Sequence, residues 1–430
     1  MKKSISLAVL AMGFYTAHAQ ETISAALPQN RPVYLTNAVI HIGNGQVIEK
    51  GTIAFAQGKI TAVGANVPAA GSDATVLDLK GQHVYPGIIA PESNLGLTEF
   101  ESVRATNDYE EVGEINPSIR SLISYNTDSK VINTLRSNGI LLAQITPQGG
   151  LISGSSSVVQ LDAWNWEDAA YKTDNALHFN MPRLIPVSNE RGGGGNETDR
   201  VKKGLEQIEK VRVFFREAKA YLQESKHAAT NLKYESMRRL FAKEQRLFVH
   251  CELVKEMLIA IDFAKEFDVP VTIVGGSDAW LIADILKQNN IPVVLAQPHS
   301  LPSTPDDDVD QPYKTPAILQ KAGVLFCLSN EGFWQQRNLS YEAGTASTYG
   351  LSKEEALSAV TLNAAKILGI DKITGSLETG KDANIAVSTG DILDMKTAVI
   401  IQAYIQGREV NLDNKQHQLY EKYQQKYRLK

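Results

Sequence analysis

Short apolar runs recur through the middle of the chain, at residues 84–90, 140–146, 177–180, 247–251, 271–274, 293–296 and 324–328. Each is bounded by turn residues and is of strand length. Between them lie stretches with helical character, at 201–245, 254–267, 279–289 and 353–368. Strands alternating with helices predict a parallel α/β sheet. The 201–245 run is rich in Lys, Glu, Arg and Ala, and predicts two helices with their charges on a solvated face. The two ends of the chain read differently. Residues 33–80 form short strand-like runs joined by hairpin residues at Gly43-Asn44-Gly45 and Gln57-Gly58-Lys59, and residues 375–410 have the same character. A β layer assembled from both ends is therefore expected beside the α/β body.

Composition narrows the function classes. A formal charge of −5 gives no reason to expect a nucleic-acid partner, and no internal run approaches the roughly 20 apolar residues of a membrane span. The first residues carry a basic Lys2-Lys3, an apolar stretch at 5–15 and Ala17-His18-Ala19 before Gln20. These are the three parts of a secretory signal peptide over 1–19, so export across the inner membrane, to a periplasm, is expected. Cys251 and Cys327 lie on separate predicted strands and are read as two buried free thiols.

The stretch from Gln82 to Phe100, QHVYPGIIAPESNLGLTEF, is an apolar strand ending in a polar tip, which is how a barrel strand delivers residues to a site. It resembles the imidazolonepropionase-like branch of the amidohydrolases. In that family a Pro-Gly-apolar-apolar strand leads into two metal-binding histidines. The frame runs here from Pro86-Gly87-Ile88-Ile89 to Leu95-Gly96-Leu97, and Glu92 and Asn94 stand at the histidine positions. Ala364-Ala365-Lys366-Ile367-Leu368-Gly369, Gly375-Ser376-Leu377-Glu378 and Gly380-Lys381-Asp382-Ala383-Asn384 resemble the family's closing motifs, so the likeness covers nearly all of 30–412. It implies a distorted TIM (β/α)8 barrel over 84–371 with a helical insertion near 197–246, a small accessory β-sandwich from 30–83 plus 372–412, and a tail over 413–430.

The family's binuclear centre also takes a bridging residue after strand four, histidines after strands five and six, and an aspartate after strand eight. Carried over, these become His250 on strand five, Gly275 on strand six and Asn330 on strand eight, with the bridging residue unplaced. An amide cannot act as a general base near neutral pH. The expected remainder is a reduced site for a single divalent ion such as zinc, held by His250, His299 and Glu92, with Glu331 beside it. Glu92, Asp278 and Glu331 are expected to converge as a carboxylate group with acid–base capacity. Arg337 is a candidate to pair with an acidic ligand, and Trp164 and Trp166 to form a ring-stacking platform. Gly149-Gly150 and Gly154-Ser155-Ser156-Ser157 are expected to make tight backbone approaches near the barrel mouth, and Gly192 to Asn196 to form a loop.

Three functions stay open at this point. The first is an atypical or inactive member whose barrel mouth still binds a small molecule or partner. The second is an active hydrolase of non-peptide C–N bonds, such as those of cyclic amides, with a mononuclear site around His250. The third is a non-catalytic subunit of an active paralogue.

Overall fold

A computed structural model describes residues 23–184, 197–330 and 332–429. The expected signal peptide, the glycine-rich 192–196 and Glu331 lie outside these residues. The chain builds two eight-stranded sheets. The first takes β1 (Val33–His41), β2 (Val47–Ala56), β3 (Lys59–Gly64), β4 (Thr75–Asp78) and β5 (His83–Pro86) from one end of the chain. The second sheet contains β6 (Ile88–Ser93), β7 (Ile140–Ile145), β8 (Ile152–Gln160), β9 (Ala170–Asn180), β10 (Arg246–Cys251), β11 (Val271–Gly275), β12 (Val293–Leu295) and β13 (Phe326–Leu328). Its strands lie side by side in chain order. From the other end, β14 (Ile385–Ser388), β15 (Ile400–Ile405) and β16 (Arg408–Glu409) complete the first sheet, where β14 pairs with β5. The apolar run at 84–90 thus serves both sheets, changing from one to the other at Gly87.

The second sheet is a nearly closed, distorted TIM barrel. Ile89, Leu142, Val158, Ala176, Phe248, Val274, Val294 and Cys327, one from each strand, form one buried cluster with Ala364, Ala365, Ile367 and Leu368 of the helix Leu362–Leu368. The barrel is filled by side chains, as a barrel of eight strands must be. Cys251 and Cys327 are both free and buried. Side chains bind the edge strands to each other: Ser329 Oγ donates to the Pro91 carbonyl at 3.1 Å, and Gln336 Nε2 donates to the carbonyls of Asn330 (2.6 Å) and Glu92 (3.2 Å).

One strand runs against the others. β8 pairs antiparallel with both β7 and β9, whereas β6–β7 and the pairs from β9 to β13 are parallel. Its sequence, ISGSSSVVQ, has no place among the expected strands, yet all nine residues are buried, and the close backbone approach expected at 154–157 is present at Gly154. Small Gly and Ser side chains suit a strand whose faces are both covered. Gly154, at φ +128°, lies so close to the Ile119 carbonyl that a Cβ would collide with it. The expected pair of helices after β9 is a 27-residue helix, Glu197–Gln223, followed by two short ones. Its Ile208, Val211, Phe215 and Ala218 are buried, and Phe215 packs edge-on against Phe263. The crossover that parallel strands require is thereby made.

Because β8 is reversed, its end at Gln160 lies beside Leu142, near the start of β7. The residues that follow therefore sit at the end of the barrel opposite the strand C-termini. Asp162 is there, almost fully buried, accepting hydrogen bonds from Arg136 Nη1 (2.6 Å), Arg408 Nη1 (3.0 Å) and the Ala26 amide (3.0 Å).

Candidate metal centre

At the C-terminal end of the barrel, three side chains from three strands converge: Glu92 on β6, His178 on β9 and His250 on β10. His178 Nδ1 lies 2.9 Å from His250 Nε2. Glu92 Oε2 is 3.8 Å from His178 Nδ1, and Glu92 Oε1 is 3.7 Å from His250 Nε2. The strand register explains the pair of imidazoles. His178 is matched with Phe248, and His250 lies two residues further along β10 on the same face. Glu92 reaches them through a bulge. Between Ala90 and Ser93 the β6–β7 register slips, and Glu92 takes a left-handed φ of +57°. That conformation is costly for a residue with a side chain and is commonly retained where it aims a functional group. The bulge is held by the Gln144 side chain, which accepts from the Glu92 amide at 3.3 Å, and by Gln336 on the Glu92 carbonyl.

The electrostatics of the three groups fit a cation. Burial lowers the His250 pKa to about 4 and holds His178 well below the ordinary imidazole range, with His250 adding to the effect. Both rings are therefore neutral at pH 7, the state in which imidazole binds a metal. Burial raises the Glu92 carboxyl to about 8, against a small opposing influence from the Thr146 hydroxyl. Glu92 Oε2 is buried without a hydrogen-bond partner, as is His178 Nε2. A carboxylate in such a place needs a proton or a cation. One ligand atom from each of the three residues lies within 4.8 Å of the others, near the ligand–ligand edge of about 3.3 Å that tetrahedral zinc implies for bonds of about 2.0–2.1 Å. Two nitrogens and a carboxylate are a donor set that zinc accepts.

A cavity of about 530 Å³ opens onto this group. Its walls include Asn94, Glu101, Tyr109, Gln148 and Glu252. Glu252 Oε2 accepts hydrogen bonds from Ser277 Oγ (2.6 Å) and the Ser277 amide (3.1 Å). Gly275, at φ +96°, has no room for a side chain, since a Cβ there would run into the Glu252 carboxylate. The strand-six position that a histidine occupies in the family frame is thus taken by a carboxylate arriving from β10.

Other expected site residues have different places. His299 is outside the three-residue group: its Nε2 lies 2.6 Å from Thr345 Oγ1 and its Nδ1 3.3 Å from Glu342 Oε1. His178 stands where His299 was expected, on the fourth barrel strand, where the family frame puts its bridging residue. Asp278 does not join Glu92. Its carboxylate accepts from the Val254 amide at 3.3 Å, at the start of the helix Val254–Phe267, and burial raises its pKa. Arg337 stacks over the Trp334 ring at 4.9 Å and donates to the Trp334 carbonyl. Trp164 and Trp166 follow the reversed strand β8 and so lie at the far end of the barrel, Trp164 exposed and Trp166 packed on the core. Asn330 is buried, and its Nδ2 donates to Glu342 Oε1 at 2.8 Å. Glu252 and His178 were both missed.

The comparisons agree with this architecture. The amidohydrolase family model matches residues 323–410. An imidazolonepropionase from Mesorhizobium japonicum is 26% identical over 377 residues, covering 79% of this chain and 87% of its own. Amidohydrolase tasK from Hapsidospora irregularis is 21% identical over 387 residues, which span 83% of this chain but 39% of that protein. The crystal structure of an amidohydrolase from Thermotoga maritima matches with a TM-score of 0.75 and 26% identity, over 88% of this chain and 99% of the other. These likenesses support an amidohydrolase superfamily member. They also support a hydrolase-like function.

Proposed function

We propose that the protein is a single-metal hydrolase of non-peptide C–N bonds, with Glu92, His178 and His250 holding the ion. The observation that carries this reading is the buried Glu92 carboxylate, facing two neutral imidazoles and lacking a partner on Oε2. A divalent ion bound there would supply an activated water and polarise a substrate carbonyl. The protein supplies the rest. The Gln144 and Gln336 side chains fix the bulge that aims Glu92. The buried interior cluster beneath His178 closes the floor to solvent. Asn330 has no basic lone pair, so proton transfer falls to Glu252, the carboxylate on the cavity wall that Ser277 orients.

The test is hydrolysis of hydantoin, dihydrouracil and cyclic dipeptides by zinc-loaded protein. The expected result is turnover that a chelator abolishes and that His178→Ala reduces by at least a hundredfold. Turnover indifferent to both, or none with any substrate, contradicts the proposal. The latter result favours the reading of a barrel that only binds, for which the loss of a base at Asn330 is the supporting observation.

A further inference from the structure

The walls of the cavity above the three-residue group have one sign of charge. Glu101 and Glu252 line it above the metal group, and neither Lys nor Arg is among the described residues that surround it. Its neutral polar groups are Asn94, Tyr109, Gln148 and Ser329. A second observation concerns hydrogen-bond valence. Asn94 is 6% exposed, lines the cavity, and has its Oδ1 buried without a partner while its Nδ2 lies 3.2 Å from Thr98 Oγ1. The unsatisfied Asn94 Oδ1 is an acceptor. A buried acceptor left unpaired costs free energy that a ligand's N–H recovers.

We propose that this cavity selects a cationic substrate rich in N–H donors, an amide or cyclic amide carrying a protonated amine or guanidinium group, and excludes substrates bearing a free carboxylate. The inference rests on the reading of this cavity as the substrate site and adds the sign of the substrate's charge. The reactive amide faces Glu92 and the histidines. The cationic arm lies along the wall of the exposed Glu101 and the half-buried Glu252, whose shared sign of charge attracts it. A carboxylate arm meets like charge on that wall and no basic side chain among the residues described there.

Three cyclic dipeptides that share one ring and differ only in side-chain charge provide the test: cyclo(Gly-Lys), cyclo(Gly-Met) and cyclo(Gly-Glu). Binding is measured by titration calorimetry at low and high salt, on zinc-loaded and chelated protein, so no turnover is needed. The expected order is lysine over methionine over glutamate, with at least a tenfold gap between the first and last that narrows in high salt. Glu101→Gln should narrow the gap severalfold, and Glu101→Gln with Glu252→Gln should close it. A glutamate ligand that binds as tightly as the lysine one, a gap that survives the double variant, or no binding of the lysine ligand overturns the proposal. His250→Ala separates the two readings. Zinc lost with the charge preference intact supports both. Zinc absent even from the wild type, with the preference intact, defeats the metal reading alone.

Discussion

Asp162 and Glu92 are both largely enclosed carboxylates at opposite ends of the same barrel, and their surroundings differ completely. Asp162 has two guanidinium groups and a backbone amide on its oxygens. It also joins distant parts of the chain, since Arg136 precedes β7, Arg408 lies in β16 and Ala26 belongs to the amino-terminal segment. Glu92 has no cation: its nearest ionisable neighbours are two imidazoles kept neutral by burial, and one of its oxygens has no partner. The fold can evidently satisfy a buried carboxylate where one serves structure. Leaving Glu92 unsatisfied, on a bulge with a left-handed backbone, is the pattern of a site completed by something from outside the chain.

The largest effect should come from breaking the satisfied end. Asp162→Ala leaves two arginines with little exposure and no counter-charge, and should cost about 3–5 kcal/mol in chemical denaturation. Zinc binding by the remaining folded protein should be unchanged. A cost below about 1 kcal/mol would show that the arginines find other partners.

The unsatisfied end should give a smaller, pH-dependent effect. In chelated protein the folded state holds the Glu92 proton up to about pH 8, whereas an unfolded glutamate loses it near 4.5. The folded state binds more protons across that window, so stability falls as pH rises through it. His178 and His250 act oppositely: their lowered pKa values make the unfolded chain bind more protons below about 6.5, so stability rises with pH up to that point. Above 6.5 only the Glu92 contribution remains. Melting of the chelated protein should thus show a loss on the order of 1–2 kcal/mol between pH 6.5 and 8, removed by Glu92→Gln and suppressed by zinc. A flat profile would mean that Glu92 is not the enclosed acid described here. The smallest effect belongs to His299→Ala, which removes a half-exposed ring from Glu342 and Thr345. About 1 kcal/mol of stability should go, with zinc affinity untouched.

Much of the fold was readable because buried parallel strands announce themselves as apolar runs, and because the closing motifs near 364–384 have a specific form. β8 was not readable. Its Gly-Ser content interrupts any apolar run, and only the neighbouring strands, which cover both its faces, make it a strand. That one reversal also misplaced Trp164 and Trp166, since residues after a reversed strand emerge at the opposite end. At the site, Glu92 and His250 were recognised from their positions on strands one and five. His178 was passed over although it lies inside the apolar Ala176-Leu177-His178-Phe179, where an imidazole among inward-facing residues was itself a signal. His299 looked like a mouth residue because it follows β12, but no pattern in the sequence indicates that Glu342 and Thr345 hold it. Glu252 was invisible for a different reason. Its place depends on the empty volume over Gly275, which is a property of packing between β10 and β11 rather than of either strand alone.

His178 distinguishes the metal site seen in the structure from the one expected from sequence, so the most direct measurement is zinc stoichiometry by elemental mass spectrometry. It should be made on untagged wild-type protein and on His178→Ala and His299→Ala, each loaded with zinc and desalted. The account predicts one equivalent in the wild type and in His299→Ala, and none in His178→Ala. Zinc retained by His178→Ala, or missing from the wild type, would contradict it.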